Sequence, residues 1–213
     1  VVDLARQYGT PLYVYNASII AQRIADLSAF DVIRYAQKAC GNLAILDRVR
    51  RAGAVVDAVS AGEVRRALAA GYKAHAEVPE IVYTADIFDR ESLDLVVELG
   101  LHVNCGSPDM IDQLGQRRPG AEVTLRINPG FGHGHSQKTN TGGEQSKHGI
   151  WHEQVDECLL RADRYGVTVT GLHMHIGSGT DLEHLSQVCK AMERTVAQVG
   201  RTITTISTGG GLP

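Results

Sequence analysis

The sequence predicts an α/β fold: a parallel (β/α)8 TIM-type barrel, incomplete within these 213 residues. Two observations carry this. From Val32 onward, seven short apolar or β-branched runs alternate with helical patterns, which implies a parallel sheet with right-handed crossovers. Nearly every run also ends in small or polar residues, and barrels recruit all their strand carboxyl ends to one mouth. A doubly wound open sheet accommodates the same alternation; the repeated polar endings favour the barrel.

Val1 to about Tyr8 reads as a short helix broken at Thr10-Pro11. Pro11 to Asn16, with its aromatic and β-branched core Leu12 to Tyr15, reads as a strand. It either counts as the eighth barrel strand or pairs with something beyond the C-terminus. Ile19, Ile20, Ile24 and Leu27 have helical spacing. Strand one is Val32 to Lys38, and its helix carries Leu43, Leu46 and Val49 and stops at Ala52-Gly53. Strand two is Val55 to Ser60, followed by a helix through Val64 and Leu68 that Gly71 terminates. Strand three is Glu80 to Ala85, with a helix from Ser92 to Gly100. Strand four, Leu101 to Cys105, meets Gly106-Ser107 and a helix from Pro108. Strand five is Glu122 to Asn128, closed by Pro129-Gly130. A long polar segment from Phe131 to Gly149 then interrupts the rhythm, and segments of that length are usually functional. A helix from about His152 to Tyr165, strand six (Val167 to Ile176), a helix near Leu182 to Val199 and strand seven (Thr202 to Thr208) complete the pattern. Gly209-Gly210-Gly211-Leu212-Pro213 stands last.

The formal net charge of −3 argues against a nucleic-acid or anionic-membrane surface. No apolar run approaches the roughly 20 residues of a membrane helix, and no signal peptide is expected. Cys40, Cys105, Cys158 and Cys189 are widely spaced, which suits free thiols in a reducing, cytoplasmic compartment. A chain that starts on Val1 and stops within a glycine motif reads as a piece of a longer protein.

Lys38 is the candidate on which the chemistry turns. Taken alone, a lysine at a strand end that snorkels to water is the plainer reading. The other strand ends argue for more. Arg34, Ala36 and Lys38 share one face of strand one, Arg126 and Asn128 one face of strand five, and His173 and His175 one face of strand six. Polar groups on a barrel's inner face need partners or a ligand, and one of the two histidines reads as a hydrogen-bonded core residue. His133, His135, His173 and His175 raise a zinc site, but no HExxH or cysteine ligand pattern supports it, so no metal is expected. Gly209-Gly210-Gly211 after a strand can offer backbone N–H groups to an oxyanion, and Gly177-Ser178-Gly179 can add more. Each run alone is an ordinary turn. Together, across a mouth from a lysine, they suggest pyridoxal phosphate, an aldehyde with a phosphate handle that Lys38 could hold as a Schiff base.

These residues resemble the diaminopimelate decarboxylase family, pyridoxal-phosphate enzymes of the alanine racemase-type barrel group. The similarity runs from end to end: Tyr35-Ala36-Gln37-Lys38-Ala39, Val56 to Glu63, Leu125 to Gly130, Ser146-Lys147-His148-Gly149, His173 to Ser178 and Gly209 to Leu212. The segment from Phe131 to Gly143 is similar to one branch of that family and carries the substrate expectation. The resemblance implies one pyridoxal-phosphate-binding barrel domain over 1–213, truncated at its C-terminal side. In it Lys38 would bind the cofactor aldehyde, His175 would stack on its ring, and Ser178 with Gly209, Gly210 and Gly211 would hold its phosphate. Asp57 and Arg126 would lie close by; a buried ion pair between them that supports the barrel is the alternative. The activity implied is decarboxylation of meso-diaminopimelate to L-lysine and CO2, in a homodimer. The family's pyridine-nitrogen glutamate and its catalytic cysteine and tyrosine have no match here, so residues 1–213 alone are expected to be inactive. Rival readings are an ornithine, arginine or lysine decarboxylase, a non-catalytic pyridoxal-phosphate barrel, and a Schiff-base aldolase without the cofactor.

Overall fold

The structure, a computed structural model, describes residues 1–133, 140–179 and 181–211. Two helices, α1 (Val2–Tyr8) and α2 (Ala17–Ala25), precede the sheet. The alternating body then runs β1 (Arg34–Ala36), α3 (Leu43–Arg51), β2 (Val55–Ala58), α4 (Ala61–Ala69), β3 (Ile81–Ala85), α5 (Arg90–Glu98), β4 (His102–Cys105), α6 (Pro108–Arg117) and β5 (Glu122–Asn128). It continues with β6 (Ile150–Trp151), α7 (Val155–Arg164), β7 (Thr168–His173), α8 (Leu182–Val199) and β8 (Thr205–Ser207). Short polar residues start the helices by capping their first free amides. Asn42 accepts from Ala44 N and Ile45 N, Ser60 from Glu63 N, Asp89 from Ser92 N and Asp181 from His184 N. Among the described residues no helix is long and apolar enough to cross a membrane.

Strand order decides between the two architectures. All strands pair in parallel in the order β1-β2-β3-β4-β5-β7-β8, and β6 lies beside the end of β5. A doubly wound sheet reverses direction at a switch point. This one advances in sequence order throughout, as the wall of a barrel does. The two ends of the path, β1 and β8, are not paired with each other among the described residues, so the wall is an open arc of a (β/α)8 barrel.

The period of two along each strand separates a dry layer from a polar one. Facing outward in register are Ala58, Tyr83, Val103 and Val123, followed by Cys105, Leu125 and Leu172. These pack in one core with Leu46, Val64, Ala67, Val96, Met110, Ile111, Leu114, Cys158 and Ala162 of the helices. Burying each large aliphatic side chain contributes roughly 1.5–3 kcal/mol of transfer free energy. Alternate residues line the inside: Asp57, Thr84, Asn104, Thr124, Arg126 and His173.

Four expectations change. Leu12–Tyr15 is not a strand: Tyr13 is 86 % exposed, and β-branched or aromatic residues hold a strand only against a partner. Strand one stops at Ala36, because Gln37–Ala39 turns as a 3-10 helix closed by Cys40 N donating to Gln37 O at 3.1 Å. Lys38 therefore sits on a turn and not on the strand. Strand six stops at His173, because Ile176 O accepts from His133 N and Thr141 N of the long polar segment. Directly after that segment comes β6 (Ile150–Trp151), a strand the sequence pattern does not predict.

Gly106 fits the end of β4 against β3: a Cβ there would collide with the Ala85 carbonyl and the Asp86 carboxylate. Gly62, in α4, has room for one. Gly106→Ala is expected to lower unfolding free energy by about 1–3 kcal/mol, whereas Gly62→Ala is neutral or stabilising by up to about 1 kcal/mol. Urea denaturation of the two variants checks both signs; equal effects would contradict the packing described.

Candidate active site

The carboxyl ends of the strands gather the candidate residues. Gln37, beside Lys38, is buried and ties the turn down, donating from Nε2 to Glu63 O at 2.9 Å. Lys38 on the same turn is exposed. Its charge acts on Asp57, His173 and His175, as does that of Arg126, so these groups lie near one another.

Asp57 lies inside β2. Burial raises its carboxyl to about 6, against the pull of the Thr84 hydroxyl and the charges of Arg34, Lys38 and Arg126. Its Oδ1 has no hydrogen-bond partner. Arg126 reaches Asp86 instead, Nη1 to Oδ1 at 3.5 Å. The Asp57–Arg126 ion pair held open by the sequence reading is therefore not formed. Asp86, one residue past β3, also meets His148 Nδ1 at 2.5 Å and accepts from Gly149 N at 3.0 Å. The sequence reading missed Asp86, although a carboxylate just beyond a strand end is the signal it used elsewhere. His148 was noticed only as part of a motif.

The two histidines after β7 diverge. His173 is the satisfied core residue, its Nδ1 2.9 Å from Ser207 Oγ, and burial drives its imidazole down to about 3. His175 is lowered to about 4, again chiefly by burial, and its Nδ1 has no partner. Both are neutral at pH 7. Deeper inside, His102 Nε2 and Thr124 Oγ1 lie 2.8 Å apart, and Asn104 Nδ2 donates to Thr84 Oγ1 at 2.8 Å.

The glycines after β8 form a cradle. Gly209, Gly210 and Gly211 have φ of 73°, 75° and 78°, a left-handed run open to glycine. A Cβ on Gly209 would collide with His175 and the Met174 carbonyl, so the run lies directly against that histidine. Nothing stands within 4 Å of where a Gly210 Cβ would be. Gly179 is also left-handed, at φ 72°, next to the exposed Ser178. Leu212, which closes the glycine motif, lies outside the described residues, as does His135 of the four histidines considered for zinc. The ring of His133 stacks on that of His184.

A pyridoxal phosphate fits this donor set: a lysine, a neutral imidazole with an orphaned nitrogen, a carboxylate with an orphaned oxygen, and an open glycine cradle for an anion. The long segment is stapled around it. Asn128 Nδ2 donates to Gly143 O at 3.0 Å and its Oδ1 accepts from Gly143 N at 2.8 Å, while Thr141 Oγ1 donates to His175 O at 3.0 Å.

The buried imidazoles set an acid sensitivity. Their folded pKa values lie below the unfolded value near 6.5, so their stability contribution is present above pH 6.5 and is lost as pH falls toward 4. Asp57 works in the opposite sense between about 6 and 4, but three imidazoles oppose one carboxyl. Unfolding free energy of the cofactor-free protein is therefore expected to fall on acidification from pH 6.5 to 4. His173→Gln should flatten that slope by up to about 1.4 kcal/mol per pH unit. An unchanged slope in denaturant titrations of the variant would contradict the assignment.

Comparison with known proteins places this geometry. The model of the pyridoxal-binding domain of pyridoxal-dependent decarboxylases matches residues 16–213. A diaminopimelate decarboxylase of Streptomyces coelicolor is 58 % identical over 208 residues, covering 98 % of this chain and 47 % of the relative. A crystal structure of diaminopimelate decarboxylase superposes with a TM-score of 0.95 at 54 % identity, covering 100 % of this chain and 50 % of the other. The Helicobacter pylori diaminopimelate decarboxylase complexed with L-lysine gives 0.84 at 26 % identity, covering 96 % and 55 %. The chain thus spans about half the length of the relatives it matches. The chain belongs to the pyridoxal-dependent decarboxylases, through their pyridoxal-binding domain.

Proposed function

We propose that the protein containing this chain decarboxylates meso-diaminopimelate to L-lysine and CO2, in the cytoplasm and as a homodimer, with residues 1–213 forming its cofactor-binding barrel domain. The observation that carries the substrate is the 58 % and 54 % identity to diaminopimelate decarboxylases across essentially the whole chain. Pyridoxal phosphate supplies the electron sink that takes up the bond pair freed when CO2 leaves. Lys38 would hold the cofactor aldehyde through Nζ. Ser178 and the N–H groups of Gly209, Gly210 and Gly211 would hold the phosphate. His175, a neutral imidazole, would face the ring, and its neutrality avoids adding a second cation beside Lys38. Asp57 faces Lys38 and Arg126 with a carboxyl whose burial keeps it responsive near neutral pH. Arg126, steadied by Asp86, offers a guanidinium to a carboxylate or to the ring substituents.

A related basic amino-acid decarboxylase is the second reading, since the same site residues serve a pyridoxal cofactor whatever the substrate side chain. The full-length protein, assayed for CO2 release from meso-diaminopimelate, L-ornithine, L-arginine and L-lysine, is expected to favour diaminopimelate by at least about a hundredfold in kcat/KM. Lys38→Ala should lower that activity by at least about a thousandfold. Preference for ornithine, arginine or lysine would overturn the substrate; full activity of the variant would overturn the role of Lys38.

A further inference from the structure

Two distant parts of the chain bring a further set of nitrogen and oxygen donors together. His133 belongs to the arm leaving β5, and its backbone is held by donation of its N–H to Ile176 O at 3.0 Å. Asp181 and His184 belong to the first turn of α8. The rings of His133 and His184 stack with centroids 3.8 Å apart and planes at 15°. Asp181 serves both: Oδ1 lies 2.8 Å from His184 Nδ1, and Oδ2 lies 3.6 Å from His133 Nε2. One donor atom from each of the three residues lies within 4.8 Å of the others.

Helix capping accounts for only part of this. The cap needs Asp181 Oδ1, which accepts from His184 N at 2.9 Å. It needs neither Oδ2 nor an imidazole from 48 positions earlier in the chain. Two imidazoles and one carboxylate form an N2O set of the kind that binds zinc, with a fourth position for water, once the rings turn out of their stack so that both in-plane lone pairs meet one ion. Donors around a tetrahedral zinc at roughly 2.0–2.1 Å stand about 3.3 Å apart, so the three groups, now within 4.8 Å of one another, need to close by up to about 1.5 Å. The positive end of the α8 dipole opposes a cation there, but Asp181 and Glu183 in the first turn supply more negative charge than it offsets.

We propose that His133, Asp181 and His184 form a binding site for a divalent first-row transition cation of the zinc class. On binding, His184 takes the neutral tautomer with its proton on Nε2, so that the Nδ1 lone pair faces the metal. Asp181 ligates through Oδ2 while Oδ1 keeps the cap. The ion cross-links the arm after β5 to α8, clamping the Ile176–Gly177 strip to which that arm is already bonded. The site is structural and uses none of the residues assigned to the cofactor, so it does not depend on the decarboxylase reading.

The test is competition for Zn2+ between a chromophoric chelator and the full-length holoenzyme at pH 7.5. One equivalent per chain is expected, with binding at least about tenfold weaker in His133→Gln, His184→Gln and Asp181→Asn. Asp181→Asn is the informative variant, because asparagine still caps α8 while the charged ligand is lost. His75→Gln and His152→Gln should leave the equivalent in place. Co2+ substitution should give visible d–d bands of a four-coordinate site that vanish in His184→Gln. Zinc uptake unchanged in the three ligand variants, or no equivalent taken up by the unaltered protein, would overturn the proposal.

Discussion

A parallel strand that packs helices on one side has to place every second residue on the other side, and in this chain that other side is polar. Asp57, Thr84, Asn104, Arg126 and His173 occupy it because Ala58, Tyr83, Val103, Leu125 and Leu172 must face the helices. Slipping any strand by one residue would bury the charges in the helix layer and expose the core, at a cost of several kcal/mol per ion. Register and site are thus set by one constraint. The wall satisfies most of its inner groups internally, through pairs such as Asn104 with Thr84 and His173 with Ser207. Of the four buried side-chain atoms without a partner among the described residues, Asp57 Oδ1 and His175 Nδ1 lie among the groups assigned to the cofactor; the other two are Gln37 Oε1, beside Lys38, and Asp112 Oδ1.

The loops complete what the strands begin. Gly209 is pressed against His175 so closely that no side chain is tolerated, which joins the anion cradle to the ring-facing histidine. Asp86 gathers Arg126, His148 and Gly149, connecting the end of β3 to the end of the long segment. Asn128 clasps the Gly143 end of the same segment. The insertion that broke the sequence rhythm is therefore part of the mouth.

Much of this was legible from residue order, for identifiable reasons. β5 was read to the residue, since Glu122–Asn128 alternates cleanly and Pro129 ends it. The helix-strand alternation gave the architecture, although only the pairing order separated an advancing wall from a reversing one. Leu12–Tyr15 misled because β-propensity records a liking for a sheet, not the presence of a neighbour. β6 escaped because two residues carry no period. Of the two alternate histidines, one was expected to be core, but nothing in the pattern said which; the Ser207 hydroxyl decided it. Asp86, just beyond the end of β3, carried a readable signal, whereas the His133–Asp181–His184 group was out of reach in practice, because its members meet by contacts across dozens of residues.

The account rests on Lys38 being the cofactor's anchor, and borohydride trapping addresses that directly. The full-length protein would be mixed with pyridoxal phosphate, reduced, digested and mapped by mass spectrometry. Of the five lysines of this chain, Lys38, Lys73, Lys138, Lys147 and Lys190, the pyridoxyl label is predicted to concentrate on Lys38. Label spread across the others, in protein whose circular dichroism shows the folded α/β structure, would contradict the central claim.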